Sequence, residues 1–206
     1  MSLSRSRVIR VALGALLAAG SVAGVSAADW ASAGKDLSNS RNQAHETRIS
    51  PATAGALRLK WAVTTVGDVV ATPAVDGNFV YFPDSAGFLY KVDKTTGAVI
   101  WQKAISDYTG IPGDTVRATP AVSGNALIFG NQAGKFFASY PFGYPDAARV
   151  VAVNKNTGAL IWMTKVDPGL ALSMVTHSPI VANGKAIVGI ASNEELIAGF
   201  VPKAAG

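Results

Sequence analysis

Two adjacent carboxylates, Glu194 and Glu195, follow an apolar strand, and a Glu held at the end of such a strand can chelate a hard cation with both oxygens. Arg117, Thr176 and Ser192 add a guanidinium and two hydroxyls at strand ends. Taken singly, each has a structural use: paired acids as surface charge, a lone Arg as a solvated rim charge, a β-branched Thr as the opening of a strand. Other chemistries are closed off by residue type and spacing. The two histidines, His45 and His177, have no metal-ligand spacing between them, which argues against zinc catalysis. No Gly-x-Ser-x-Gly elbow, Gly-x-Gly-x-x-Gly turn or Gly-Lys-Ser/Thr loop occurs, so hydrolase, Rossmann and P-loop readings lack support.

The elements that must position these residues are written in a repeat. Val92-Asp93-Lys94-Thr95-Thr96-Gly97-Ala98-Val99-Ile100-Trp101 returns as Val153-Asn154-Lys155-Asn156-Thr157-Gly158-Ala159-Leu160-Ile161-Trp162. A Thr-Gly turn between two strands, with a Trp four residues past the Gly, outlines a β-hairpin that docks its indole on a neighbour. Ala71-Thr72-Pro73-Ala74-Val75, Ala118-Thr119-Pro120-Ala121-Val122 and His177-Ser178-Pro179-Ile180-Val181 each lead through a Gly into an apolar strand: Phe79 to Phe82, Ala126 to Phe129 and Ala186 to Gly189. The order is four short antiparallel strands per unit, and radial repetition of such units is an all-β propeller. Units start 47 and then 59 residues apart, the wider spacing being taken up by the aromatic, Pro-rich loop Ser139 to Asp146. Loops of that kind carry function more often than packing.

Residues 1–27 read as a secretory signal peptide. Arg5, Arg7 and Arg10 precede an apolar run from Val11 to Val25, and Val25-Ser26-Ala27 has the form of a cleavage site. Export to the periplasm or beyond follows, with no membrane insertion after cleavage. Without those arginines the net charge falls from +5 to +2, 15 basic against 13 acidic residues, which points to neither nucleic acid nor membrane as partner. With no cysteine, no disulfide staples the exported chain and a packed core must hold it. Residues 28–206 hold about three blades, whereas closed propellers commonly have seven or eight. The expectation is a partial propeller, continued in a longer protein or closed by a partner.

The opening segment sharpens the reading. Asp29-Trp30, Gly34, Asp36, Ser38-Asn39-Ser40-Arg41, Ile49-Ser50-Pro51 and Leu57-Arg58-Leu59-Lys60-Trp61 resemble the start of the pyrroloquinoline quinone (PQQ) dehydrogenases, and the Thr-Gly-x-x-x-Trp units resemble that family's tryptophan-docking repeats. Val116 to Val122 and Ala191-Ser192-Asn193-Glu194-Glu195 are most similar to the polyvinyl alcohol dehydrogenase branch. The resemblance implies PQQ and calcium as cofactors, an alcohol, such as a polymeric one, as substrate and a cytochrome c as electron acceptor. It implies that Arg117 reaches the quinone oxygens, that Thr176 bonds a quinone carboxylate, that Ser192 donates to the cofactor and that Glu194, with Glu195 as the alternative, ligates calcium. One carboxylate cannot assemble a calcium site of six to eight oxygens. The family's Asn ligand and catalytic Asp belong to later blades, so this stretch alone is expected to be inactive.

Departures from the family pattern matter too. Many alcohol-oxidising members carry two adjacent cysteines upstream of the Arg, where this chain has Ile111-Pro112-Gly113-Asp114. An acidic or amide residue of the opening segment should touch the quinone; Glu46 is a candidate in a stretch whose register is open. No Cys-x-x-Cys-His haem motif occurs. A second reading stays open: a non-catalytic propeller that binds proteins at the cell envelope, like the outer-membrane assembly lipoproteins, which share the Trp repeat without the cofactor.

Overall fold

The computed structural model describes residues 29–133, 148–166 and 173–192. The leader expected over residues 1–27 and the loop Ser139 to Asp146 lie outside them. Two complete blades stand in sequence order. Blade 1 is β1 (Ala74–Asp76), β2 (Phe79–Pro83), β3 (Phe88–Asp93) and β4 (Val99–Ala104). A single α-helical turn, α1 (Ile105–Thr109), then leads to blade 2: β5 (Ala121–Ser123), β6 (Ala126–Gly130), β7 (Arg149–Asn154) and β8 (Leu160–Lys165). The start of a third blade follows as β9 (Ser173–Met174), β10 (Ile180–Ala182), β11 (Lys185–Ile187) and β12 (Ala191–Ser192). Neighbouring strands are antiparallel throughout, in the order β1-β2-β3-β4 and β5-β6-β7-β8, as the repeat predicts.

Each Thr-Gly turn is fixed by one side chain. Asp93 Oδ1 accepts from the amides of Thr95 and Thr96, both at 2.8 Å, and Asn154 Oδ1 does the same for Asn156 and Thr157 at 2.9 and 3.2 Å. Gly97 and Gly158 close the turns in the left-handed region, at φ 77° and 72°. The register then slips by one residue at the same place in both blades, after Lys91 and after Ala152. A bulge of this kind turns the following Trp, Trp101 or Trp162, directly opposite the residue before the slip.

The Trp strands dock as expected at two of their sites. The Trp61 indole lies over Gly97, where an added Cβ would come within 2.8 Å of the ring, and its Nε1 donates to Lys94 O at 3.0 Å. Trp101 lies over Gly158 in the same way, its ring 3.4 Å from where a Cβ would stand. Trp162 is 39% exposed. Trp30 does something else: it forms an antiparallel bridge with Val75 on the edge of blade 1, and the next residue, Ala31, accepts from Val122 N of blade 2 at 2.8 Å.

The core lies between blades, not within them. One face of blade 1, with Ala74, Tyr81 and Leu89, packs on Leu127, Phe129, Val151 and Val153 of blade 2. The other face, Val80, Phe82, Tyr90 and Val92, is covered by Trp61 and Val63. At roughly 1.5 to 3 kcal/mol per fully buried large apolar side chain, these seams carry most of the stabilisation. Tyr108 of α1 adds a bond across the seam, donating to Gly158 O at 2.6 Å.

Candidate functional site

Every blade begins with an extended segment that runs beside the residues leaving its second strand. In blade 1 Ser85 N donates to Asp68 O at 2.9 Å, and in blade 2 Gln132 N donates to Thr115 O at 3.0 Å. In the third unit the same rung is the β9–β12 pair, Met174 opposite Ala191. Ser192 is therefore not the tail of a strand ending at Gly189. β11 stops at Ile187, and the chain leaves that ladder to join β9, where Ser192 faces Ser173.

Two residues past each rung stand Val70, Arg117 and Thr176, each three residues before the Pro that opens the blade. Arg117 and Thr176 thus occupy one structural position on successive blades. Val70 and Arg117 are exposed and Thr176 is half-buried. Two hydrogen bonds tie blade 2 to the third unit at this point: Val175 N donates to Asn131 O at 2.9 Å, and Thr119 N donates to the Ser178 hydroxyl oxygen at 3.0 Å. The Thr176 hydroxyl lies 3.5 Å from His177 Nδ1, and His177 itself covers Gly189.

Buried polar groups hold this rim in place. Asn131 Nδ2 donates to Asp114 Oδ2 at 2.6 Å and its Oδ1 accepts from Arg149 N, while Asp114 Oδ1 takes Thr115 N at 2.8 Å. Blade 1 has Asp84 at the place of Asn131, and it accepts from Tyr90 Oη at 2.8 Å and from the amides of Gly67, Ala86 and Phe88. Both networks are satisfied internally and serve as supports.

Gln132 is different, and the sequence reading passed over it. Its backbone is bonded to Thr115, its neighbour Asn131 is bonded to Val175, and so it stands between the Arg117 and Thr176 segments. Its Nε2 is buried and has no hydrogen-bond partner among the described residues. A desolvated amide donor without an acceptor is costly.

Other expectations fall elsewhere. Glu194 and Glu195 lie outside the described residues. Among those described, no group of three or more His, Cys, Asp or Glu side chains could hold a metal ion. Glu46 is engaged within its own loop: its Oε1 accepts from Arg48 N at 2.6 Å and Ile49 N at 3.2 Å, bonds that hold its carboxyl below the usual range. No helix among the described residues is long and apolar enough to cross a membrane.

Comparison with known proteins agrees with this architecture. Residues 51–199 match the PQQ_2 family, described as outer membrane protein assembly factor BamB. The quinoprotein alcohol dehydrogenase PedH of Pseudomonas putida is 27% identical over 149 residues, 70% of this chain and 23% of that protein. A polyvinylalcohol dehydrogenase of a Pseudomonas species is 25% identical over 169 residues, 82% of this chain and 24% of the relative. Among solved structures, the quinohemoprotein alcohol dehydrogenase from Comamonas testosteroni superposes with a TM-score of 0.59 at 25% identity, covering 81% of this chain and 24% of that one. The chain spans about a quarter of the length of these relatives.

Proposed function

Because the chain belongs to the PQQ_2 family and is similar to about a quarter of the length of quinoprotein alcohol dehydrogenases, we propose that its rim is one wall of a quinone site in an exported alcohol dehydrogenase. The observation that carries this reading is the placing of Arg117 and Thr176 at one position on adjoining blades, with Gln132, whose buried Nε2 lacks a partner among the described residues, on the backbone that bonds to both of their segments. In it, the Arg117 guanidinium pairs with quinone oxygens, the Thr176 and Ser192 hydroxyls donate to carboxylate or carbonyl oxygens, and Gln132 Nε2 finds its missing acceptor. When bound, PQQ would supply the carbonyl carbon that accepts hydride, and calcium the positive charge beside it. Glu194, with Glu195 as the alternative, is the calcium ligand in this reading. The group that removes the alcohol proton is assigned to no described residue. A cleaved leader, periplasmic or secreted location, an alcohol substrate such as polyvinyl alcohol, and a cytochrome c acceptor complete the proposal.

The test is titration of the complete gene product with PQQ in the presence of calcium, followed by tryptophan fluorescence. Arg117→Leu should weaken binding about 10- to 100-fold, the value of a charge-assisted bond or two, with the unfolding midpoint unchanged. The family description as an assembly factor favours one other reading, a propeller that binds proteins at the envelope. Wild-type protein that takes up no quinone would replace the enzyme with that scaffold.

A further inference from the structure

The seam between blades 1 and 2 contains a polar row that the repeat does not require. Register sets Tyr81, Lys91 and Trp101 directly opposite one another across β2, β3 and β4. The same row of blade 2 reads Ile128, Ala152 and Trp162. Lys91 is only 3% exposed and Tyr81 is fully buried. The Lys91 ammonium sits 3.7 Å from the centre of the Phe79 ring and 5.9 Å from that of Tyr81, and the Tyr81 and Trp101 rings are 6.3 Å apart.

This row is rich in donors and short of acceptors. The polar neighbour of Lys91 Nζ is Asn156 Oδ1, at a long 3.5 Å. Asp76, the carboxylate that acts on Lys91, is already paired with Lys155 Nζ at 2.5 Å, so two cations face one anion. The Tyr81 hydroxyl and Trp101 Nε1 are buried with no hydrogen-bond partner among the described residues. In the preceding seam Trp61 Nε1 has its carbonyl, which shows that the docking geometry does not itself orphan the indole. An unbalanced buried charge and two unmet donors are each costly, and a fold that needed only packing would use the Ile-Ala-Trp row of blade 2. Burial, and then the charge of Lys155, also push the Lys91 ammonium below its usual pKa.

We propose that the Tyr81, Lys91 and Trp101 row binds a single small anion of halide type, chloride under ordinary conditions. A halide accepts from the phenol, the ammonium and the indole together and cancels the surplus charge. Water fits less well, because it must donate as well as accept, and the acceptors at hand, Asn156 Oδ1 and the Asp76 carboxylate, already face Lys91 and Lys155. The closed seam selects against polyatomic anions, since neither Tyr81 nor Lys91 opens to solvent.

The experiment is thermal unfolding of the protein in sodium chloride or bromide against sodium gluconate at equal ionic strength. The midpoint should climb with the logarithm of halide concentration and stay flat in gluconate, as ligand binding to the folded state requires. Tyr81→Phe, which keeps the packing, should move the halide response to about tenfold higher concentration. Lys91→Met should abolish it. Identical midpoints in chloride and gluconate, or a halide response untouched in both variants, would overturn the proposal. Bromide located by anomalous scattering anywhere but this seam would do the same.

Discussion

At Gly97 two constraints meet on one residue. Its φ of 77° disfavours any side chain, and the face that a Cβ would occupy is filled by the Trp61 ring at 2.8 Å. Gly124 has a similar φ of 56°, yet nothing lies within 4 Å of its Cβ position. Gly97→Ala is therefore expected to cost about 2 to 4 kcal/mol in urea unfolding, backbone strain plus overpacking, and Gly124→Ala about 1 kcal/mol, from strain alone. Legibility in the sequence divides along the same line. The Thr-Gly turns stood out because turn chemistry is local. Gln132 did not, since an amide becomes an orphan only once distant groups have closed around it. Arg117 and Thr176 share an offset from their prolines that was visible in the sequence, but the rungs that make this offset a structural position are long-range backbone bonds.

Among the elements, the Thr-Gly hairpins of the two blades are held by different groups, a carboxylate at Asp93 and an amide at Asn154, and that difference has a pH signature. Hydrogen bonds from Thr96 and Thr95 hold the Asp93 carboxyl below its ordinary value, whereas Asn154 does the same work uncharged. For a carboxylate lowered in the folded state, the stabilisation is present above about pH 4 and is lost as the pH falls through the folded value. Asp93→Asn should leave the hairpin intact at neutral pH and flatten the acid side of the stability curve, whereas Asn154→Asp should steepen it; unfolding midpoints between about pH 2 and 5 read both. Strand order and turn positions were legible because alternation, Gly and Pro mark them. The short α1 was not, because five residues are too few to show a helical period. Nor was the β9–β12 pairing, in which two residues meet two residues across a gap of sixteen.

For the molecule as a whole, the repeat leaves one seam open among the described residues. Leu160, Ile161, Trp162 and Met163 of β8 are 48, 49, 39 and 39% exposed, while the equivalent Trp101 is covered by the turn at Gly158. In the 206-residue chain Trp162 should be the indole most open to acrylamide, and Trp162→Phe should remove the readily quenched, red-shifted part of the emission; quenching unchanged by that substitution would show the seam covered. The fold class was legible from two copies of one phrase. The site was legible in part, because each blade adds only one or two groups to the rim and the carboxylates at 194 and 195 lie past the last described strand.

The three backbone rungs separate what is held from what is offered. Asp84, Asn131 and Asp114 tie down the segments that carry the rungs, while the side chains at 70, 117 and 176 take no part in those bonds. Valine, arginine and threonine already show that this one address accepts an apolar, a charged and a hydroxyl residue on the same frame. Single exchanges at this address are therefore expected to leave the rungs and the buried bonds beneath them undisturbed.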